Sequence, residues 1–212
     1  AGRLLAFTNN SSPLFLLVAI PVGMFNNPQI GIILLLAHYG ANLLLGVLLG
    51  FLAKNKNRSI TNFQHINQNL RNIIDSQRKT MLPLGALLGK AVNKSIQNIL
   101  TVGGFVIFFA VLIEILQETN FFYSITLFIG EIIHFLGLDP NLSDSLTIGF
   151  FEMTLGAQKA AQTNTVLNQQ LMIVSLILGW SGLSIQAQVA SIAARTAIPV
   201  FYYHGGRIFQ SI

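Results

Sequence analysis

The sequence predicts an all-α, polytopic membrane protein, and three observations carry that prediction. Hydrophobic residues make up 52% of the 212 positions and charged residues only 9%, where soluble domains carry about a quarter charged; mean hydropathy is +0.63. Asp, Glu, Lys and Arg are absent from Leu4 to Ala53, from Ser95 to Ile113 and from Ala160 to Ala194. A helical span needs ~20 mostly apolar residues, so several spans or half-spans fit, whereas a soluble bundle would interleave such runs with polar faces. Third, the stretch Thr147 to Gln188 is apolar enough for a membrane yet holds Glu152 and Lys159 and the glycines 156, 179 and 182. Charge and irregular backbone at membrane depth persist where they face a cavity or buried protein.

The net charge of +5 matters less than its placement. Residues 54–79 hold Lys54, Lys56, Arg58, Arg71, Arg78 and Lys79 against Asp75, while residues 114–144 hold Glu114, Glu118, Glu131, Asp139 and Asp144 with no Lys or Arg. The positive-inside rule puts segment 54–94 in the cytoplasm. The basic segment lacks the fold signatures and aromatic platforms of nucleic-acid binding, and contact with anionic lipid headgroups explains it more simply. With no cysteine, disulfides, thiolate metal sites and cysteine nucleophiles are excluded. A chain that starts at Ala1 without Met and stops at Ile212 inside an apparent span reads as a fragment of a longer protein.

Taken in order, the polar run Thr8 to Pro13 precedes Leu14 to Phe25, which is too short to cross a bilayer and suits a re-entrant half-helix; Ser11 or Ser12 ahead of Pro13 is a helix-start signal. Asn27 to Ala53 is long enough to span, with a polar break expected at His38 to Asn42. Residues 54–83 read as a loop, and Leu84 to Leu100 as an amphipathic helix on or entering the inner leaflet. A span follows from about Asn98 to Leu116, a turn at 117–120, and a second span from Phe121 to Leu138, in which Glu131 and His134 share a face. After the turn at Asp139-Pro140-Asn141 come a short arm to about Phe151, a polar tip at Glu152 to Gly156, and a return arm through Gln162. A span from Leu167 breaks at Gly179-Trp180-Ser181-Gly182 and resumes from Ser184 to Ala194; the FYYH run at 201–204 marks an interfacial belt or a last helix. One domain over 1–212 is expected: a first hairpin remnant and broken helix (1–53), a cytoplasmic loop and amphipathic helix (54–94), then two spans, a second hairpin, a broken helix and a partial last helix (95–212).

Each polar tip precedes its break by roughly thirty residues, and paired broken segments at matching places point to a transporter binding site. At these residues the sequence resembles the nucleoside-recognition, or Gate, family, related to the concentrative nucleoside transporters. SSPLF is similar to the first hairpin tip of those transporters, FFEMT to the Asn-Glu-Phe signature of their second hairpin, and GWSGLSIQ to their second helix break. GRLLAFTNNSSPLF, FFEMTLGAQKAA and GWSGLSIQAQVASI together resemble the YlbJ-type sporulation integral membrane proteins across most of residues 2–206. That resemblance implies two repeats, each with a re-entrant hairpin and a broken helix around a solute, and transport of dipicolinate across the outer forespore membrane. Glu152 and Ser184 match solute-binding positions in type; Thr8 to Ser12 and His38 to Asn42 match by location. The first tip here has no Glu, so base recognition does not carry over.

The chemistry narrows the function. GWSGL falls short of a G-x-S-x-G nucleophile elbow because position 183 is Leu, and no strand precedes it; no phosphate-binding Gly-rich loop is present. No enzymatic activity, cofactor or metal site is expected. Glu152 is either a cap of the return arm or a ligand for solute or coupling cation, and Lys159, about two turns on, either snorkels to the surface or faces the site. The candidate solute-binding residues are Thr8, Asn9, Asn10, Ser11, Ser12, Asn42, Glu152, Thr154, Lys159, Ser181 and Ser184, converging on one cavity with Lys159 at its edge. Arg3 and Lys159 beside half-helix N-termini would suit an anionic solute. The expected function is transport of a small anion. The alternatives are a non-transporting gate subunit or scaffold of a sporulation membrane complex, and a ferrous-iron-type permease, which the lack of Cys disfavours. The expected partners are a small solute, the lipid bilayer, and further copies or other sporulation membrane proteins; nucleic acid is not among them.

Overall fold

The computed structural model describes residues 8–53, 83–194 and 201–211. Every regular element in them is helical: α1 (Phe15–Met24), α2 (Ile30–Ala53), α3 (Leu84–Gln117), α4 (Asn120–Phe135), a 3₁₀ turn (Pro140–Leu142), α5 (Ser143–Phe151), α6 (Met153–Gln162), α7 (Leu167–Trp180), α8 (Gly182–Ala193) and α9 (Phe201–Ser211). Three stretches are long and apolar enough to cross a membrane: Ile30–Phe51, Leu84–Gln117 and Leu167–Ala193, the last including the α7–α8 break. The protein is therefore an all-α, multi-pass integral membrane protein.

α7 is the hub, packing on α9, α6, α2 and α5. Its Ile173, Val174, Ile177 and Leu178 meet Leu16 and Ile20 of α1, Leu34 of α2, and Met153, Ala157 and Ala160 of α6 in one buried cluster. Lipid tails are as apolar as leucine, so close packing and buried hydrogen bonds hold such helices together, and small residues let backbones approach. α5 and α6 form a short-armed hairpin joined by the single extended residue Glu152 (φ −140°, ψ 117°). A Cβ on Gly156 would lie 2.3 Å from Gly149 Cα, so only glycine allows the two arms to touch. With nine and ten residues, each arm is about 14–15 Å long, half the ~30 Å hydrocarbon core. Gln170 ties down the end of α6, its Nε2 donating to Ala160 O at 3.0 Å and Thr163 O at 2.7 Å.

Near the N-terminus, Ser12 Oγ accepts from Phe15 N at 3.2 Å, the cap expected ahead of Pro13. α1 is wound as a π-helix around Pro21, with Phe25 N donating to Ile20 O at 3.0 Å. Proline has no N–H and crowds the carbonyl one turn back, so a wider turn relieves both problems. Gly31 lets α2 lie on this turn, where a Cβ would stand 3.1 Å from Pro21 Cγ and 3.2 Å from Leu17 Cα.

Several expectations require correction. α2 runs unbroken through His38 to Asn42. Its polar residues find partners without opening the helix: Asn42 Nδ2 donates to His38 O at 2.8 Å, and His38 Nε2 accepts from Ser11 N at 3.2 Å. The amphipathic stretch 84–100 and the span 98–116 are one continuous helix, α3; Gly103 and Gly104, which invite a break, stand in open space and propagate as ordinary helix. The boundary expected at 94/95 thus falls inside α3. The second polar tip shrinks from Glu152–Gly156 to Glu152 alone, with Gly156 inside α6. Arg3 and the basic residues from Lys54 to Lys79 lie outside the described residues.

Candidate functional site

The hairpin tip and the α7–α8 break meet in the protein interior. α7 ends because Ser181 takes the left-handed conformation (φ 70°) and Gly182 follows with φ 72°. A Cβ on Gly182 would lie 2.9 Å from Met153 N, 3.1 Å from Phe151 O and 3.3 Å from Glu152 Cα, so the backbone of the break rests on the backbone of the tip. Trp180 fastens the same junction: Nε1 donates to Phe150 O at 2.9 Å, and its ring stacks on Phe150 at 5.2 Å with 8° between planes.

Glu152 is 1% exposed, and its Oε2 accepts from Leu155 N at 2.7 Å as the N-cap of α6. The carboxylate thus sits at the positive end of a helix dipole, a favourable place for negative charge. Thr154 is half-buried in the turn that follows. Ser184, one turn into α8, is fully buried and its hydroxyl has no hydrogen-bond partner. Lys159 is not brought to this junction: it is partly exposed and pairs with Asp144 of α5 at 3.9 Å.

The polar run 9–11 is held between α2 and α9. Ser11 N donates to His38 and Tyr39 OH donates to Ser11 O at 3.0 Å. On the other side, Asn9 Nδ2 donates to Tyr203 OH at 2.9 Å and Arg207 Nη2 donates to Asn9 O. Thr8 is exposed at the start of the run, Ser12 is exposed as the cap of α1, and Asn10 and Asn42 each carry a buried side-chain oxygen without a hydrogen-bond partner. The structure therefore joins Asn9 to Ser181 through Arg207, and sets Glu152 against Gly182.

Arg207 is the residue the sequence reading misses. Fully buried on α9, its Nη1 donates to Ser181 Oγ at 3.2 Å and to Gln210 Oε1 at 2.6 Å, and its guanidinium lies 5.2 Å from the Tyr203 ring centroid. One signal was available: Arg207 is a charge on a helix with apolar neighbours at 208 and 209, and such charges face inward. Nearby, Gln186 Nε2 donates to Trp180 O at 3.3 Å, which turns Gln186 Oε1 toward His204 Nδ1 at 2.7 Å. Gly179 lets α9 cross α7 closely, since a Cβ there would stand 2.6 Å from Gln210 O. Among the described residues, no three His, Cys, Asp or Glu side chains lie close enough to hold a metal ion.

Residues 99–198 match the family model described as nucleoside recognition, Gate. Over its whole length the chain aligns, at 35% identity, with the sporulation integral membrane protein YlbJ of Bacillus subtilis, and it spans 53% of that relative's length. No solved structure matches the chain. The Gate match contains α4 to α8, and therefore both the hairpin tip and the break. Residues 99–198 are thus similar to the nucleoside-recognition Gate family, and the chain is similar along its whole length to about half of a sporulation integral membrane protein.

Proposed function

We propose that this chain is the solute-handling part of a membrane transporter for a small anion, and that the anion is dipicolinate, moved across the outer forespore membrane. The observation that carries the reading is the buried contact between the Glu152 tip and the Ser181–Gly182 break. Two interrupted helices that expose backbone ends to one another inside a membrane protein form the kind of element that binds and releases a solute. Ser181 and Ser184 supply hydroxyls there, Glu152 caps the hairpin, and Arg207 brings positive charge to the break. In this reading α5–α6 is re-entrant, and the polar run Asn9–Ser12 followed by α1 is its counterpart, although α2, unlike α7–α8, carries no break. Family resemblance supports dipicolinate as the solute.

Uptake of labelled dipicolinate into vesicles carrying the protein tests the proposal. Ser184→Ala removes a hydroxyl that has no partner, so it should leave stability unchanged and lower flux. Flux equal to that of empty vesicles, in a protein that inserts and stays folded, rejects transport. It would favour the second reading, a gate subunit or scaffold, which one observation supports: α3 is exposed along residues 84–102 and offers a long face to other proteins.

A further inference from the structure

We propose that His38 is a proton-operated latch: uncharged, it holds the polar run 9–11 against α2, and protonated, it lets the run go. The inference concerns the chain's own conformation and stands whether or not a solute is moved.

Ser11 N is a donor only, so the His38 Nε2 atom 3.2 Å from it carries a lone pair. That contact fixes the tautomer: the ring is neutral, with its proton on Nδ1. The next side chain of α2 grips the same residue, Tyr39 OH donating to Ser11 O at 3.0 Å, and the two rings stand edge to face with centroids 5.8 Å apart. Both backbone groups of Ser11 are thus held by consecutive residues of one helix, and one of the two holds is lost on protonation. His38 is 5% exposed and lies ~12 Å from the start of the Ile30–Phe51 stretch, where a charge must find new partners.

A second proton on the imidazole turns Nε2 into a donor set against the Ser11 N–H. A peptide N–H cannot become an acceptor, so the contact turns repulsive. Acceptors for the new N–H stand on adjoining residues: Asn10 Oδ1 and Asn42 Oδ1 are buried and have no hydrogen-bond partner. The first is next to Ser11 in sequence, and the second belongs to the amide whose Nδ2 donates to His38 O at 2.8 Å.

The surrounding charge works in the same direction. Of the helices packed on α2, α1 and α7 carry no titratable side chain. α9 carries Tyr202, Tyr203, His204 and Arg207, and Arg207 acts on His38 electrostatically. Arg207 also grips the other end of the run, at Asn9 O. A charged His38 would set two positive groups on one three-residue run in a medium of low dielectric constant, and their repulsion drives the run from α2. Because Arg207 donates to Ser181 Oγ at 3.2 Å, movement of the run is felt at the α7–α8 break.

A spin label on Thr8→Cys, exposed at the start of the run in a chain with no native cysteine, reads the latch in detergent. Lowering the pH from ~7.5 to ~4, across the range in which histidines titrate, should raise the ratio of mobile to immobile label about tenfold, as expected for one lost hydrogen bond. His38→Gln, whose Oε1 accepts from Ser11 N and takes up no proton, should keep the label immobile throughout; every other titratable group is the same in both chains, so the difference belongs to His38. Tyr39→Phe removes the second hold and should release the run at a higher pH than the parent, which keeps the test decisive if His38→Gln does not fold. A label that stays immobile in the parent, an equal release in folded His38→Gln, or a Tyr39→Phe midpoint at or below the parent's overturns the latch.

Discussion

Gly182→Ala is the sharpest test of the tip-to-break contact. Alanine at φ 72° costs about 1–2 kcal/mol, because the left-handed region crowds Cβ against the backbone. The new methyl would also stand 2.9 Å from Met153 N and 3.1 Å from Phe151 O, inside the ~3.5 Å of ordinary contact. These neighbours are backbone atoms and cannot rotate aside, so overpacking adds about 1–3 kcal/mol. The expected loss is therefore about 2–5 kcal/mol, with the hairpin pushed off the break. Trp180 is the single tryptophan and bonds to Phe150 across this junction, so its emission reports the separation directly. Thermal unfolding in detergent should show a lower midpoint and red-shifted emission for Gly182→Ala. Gly103→Ala is the matched control: it sits in the α3 interior with nothing within 4 Å and should gain about 1 kcal/mol of helix propensity. If the two variants unfold alike with unchanged emission, the break does not rest on the tip.

Three further outcomes are expected. Gln170→Leu leaves the carbonyls of Ala160 and Thr163 without their amide donor and should destabilise the protein by about 1–3 kcal/mol, read as a lower unfolding midpoint. Glu152→Ala should cost about 0.5–2 kcal/mol through the lost cap, whereas Lys159→Ala, which removes a half-exposed ion pair with Asp144, should cost less than about 1 kcal/mol; the reverse order in unfolding midpoints would contradict the geometry. Because the chain has no native cysteine, single cysteines at Asn57 and Asn69 should react with an impermeant maleimide only from the cytoplasmic side, and labelling of sealed cells from outside would invert the orientation.

The residues alone determined a good deal. Charge-free runs gave the class, α2 and the 95–113 part of α3, because hydrocarbon imposes helical backbone and excludes charge whatever the tertiary packing. The α7–α8 break was legible within Gly179–Gly182 because glycine tolerates positive φ, though α7 runs on through Trp180 and the break falls on Ser181 and Gly182. The hairpin was legible for a similar local reason, two arms too short to span on either side of a polar tip, though the tip expected over 152–156 is Glu152 alone. Tertiary structure decided the rest. His38 and Asn42 suggested a broken helix, but whether polar side chains open a helix depends on the partners they find: Ser11 N serves His38, and the carbonyl one turn back takes the Asn42 Nδ2 donor. Lys159 pointed to the site by sequence distance, yet helical geometry turned it to Asp144. Arg207 lies 26 residues from Ser181 and 198 from Asn9 along the chain, and separations of that kind leave no periodic trace. Only packing α9 across Gly179 carries that charge to the break, since backbone approach is set by which residue lacks a Cβ and which helix arrives to use the space.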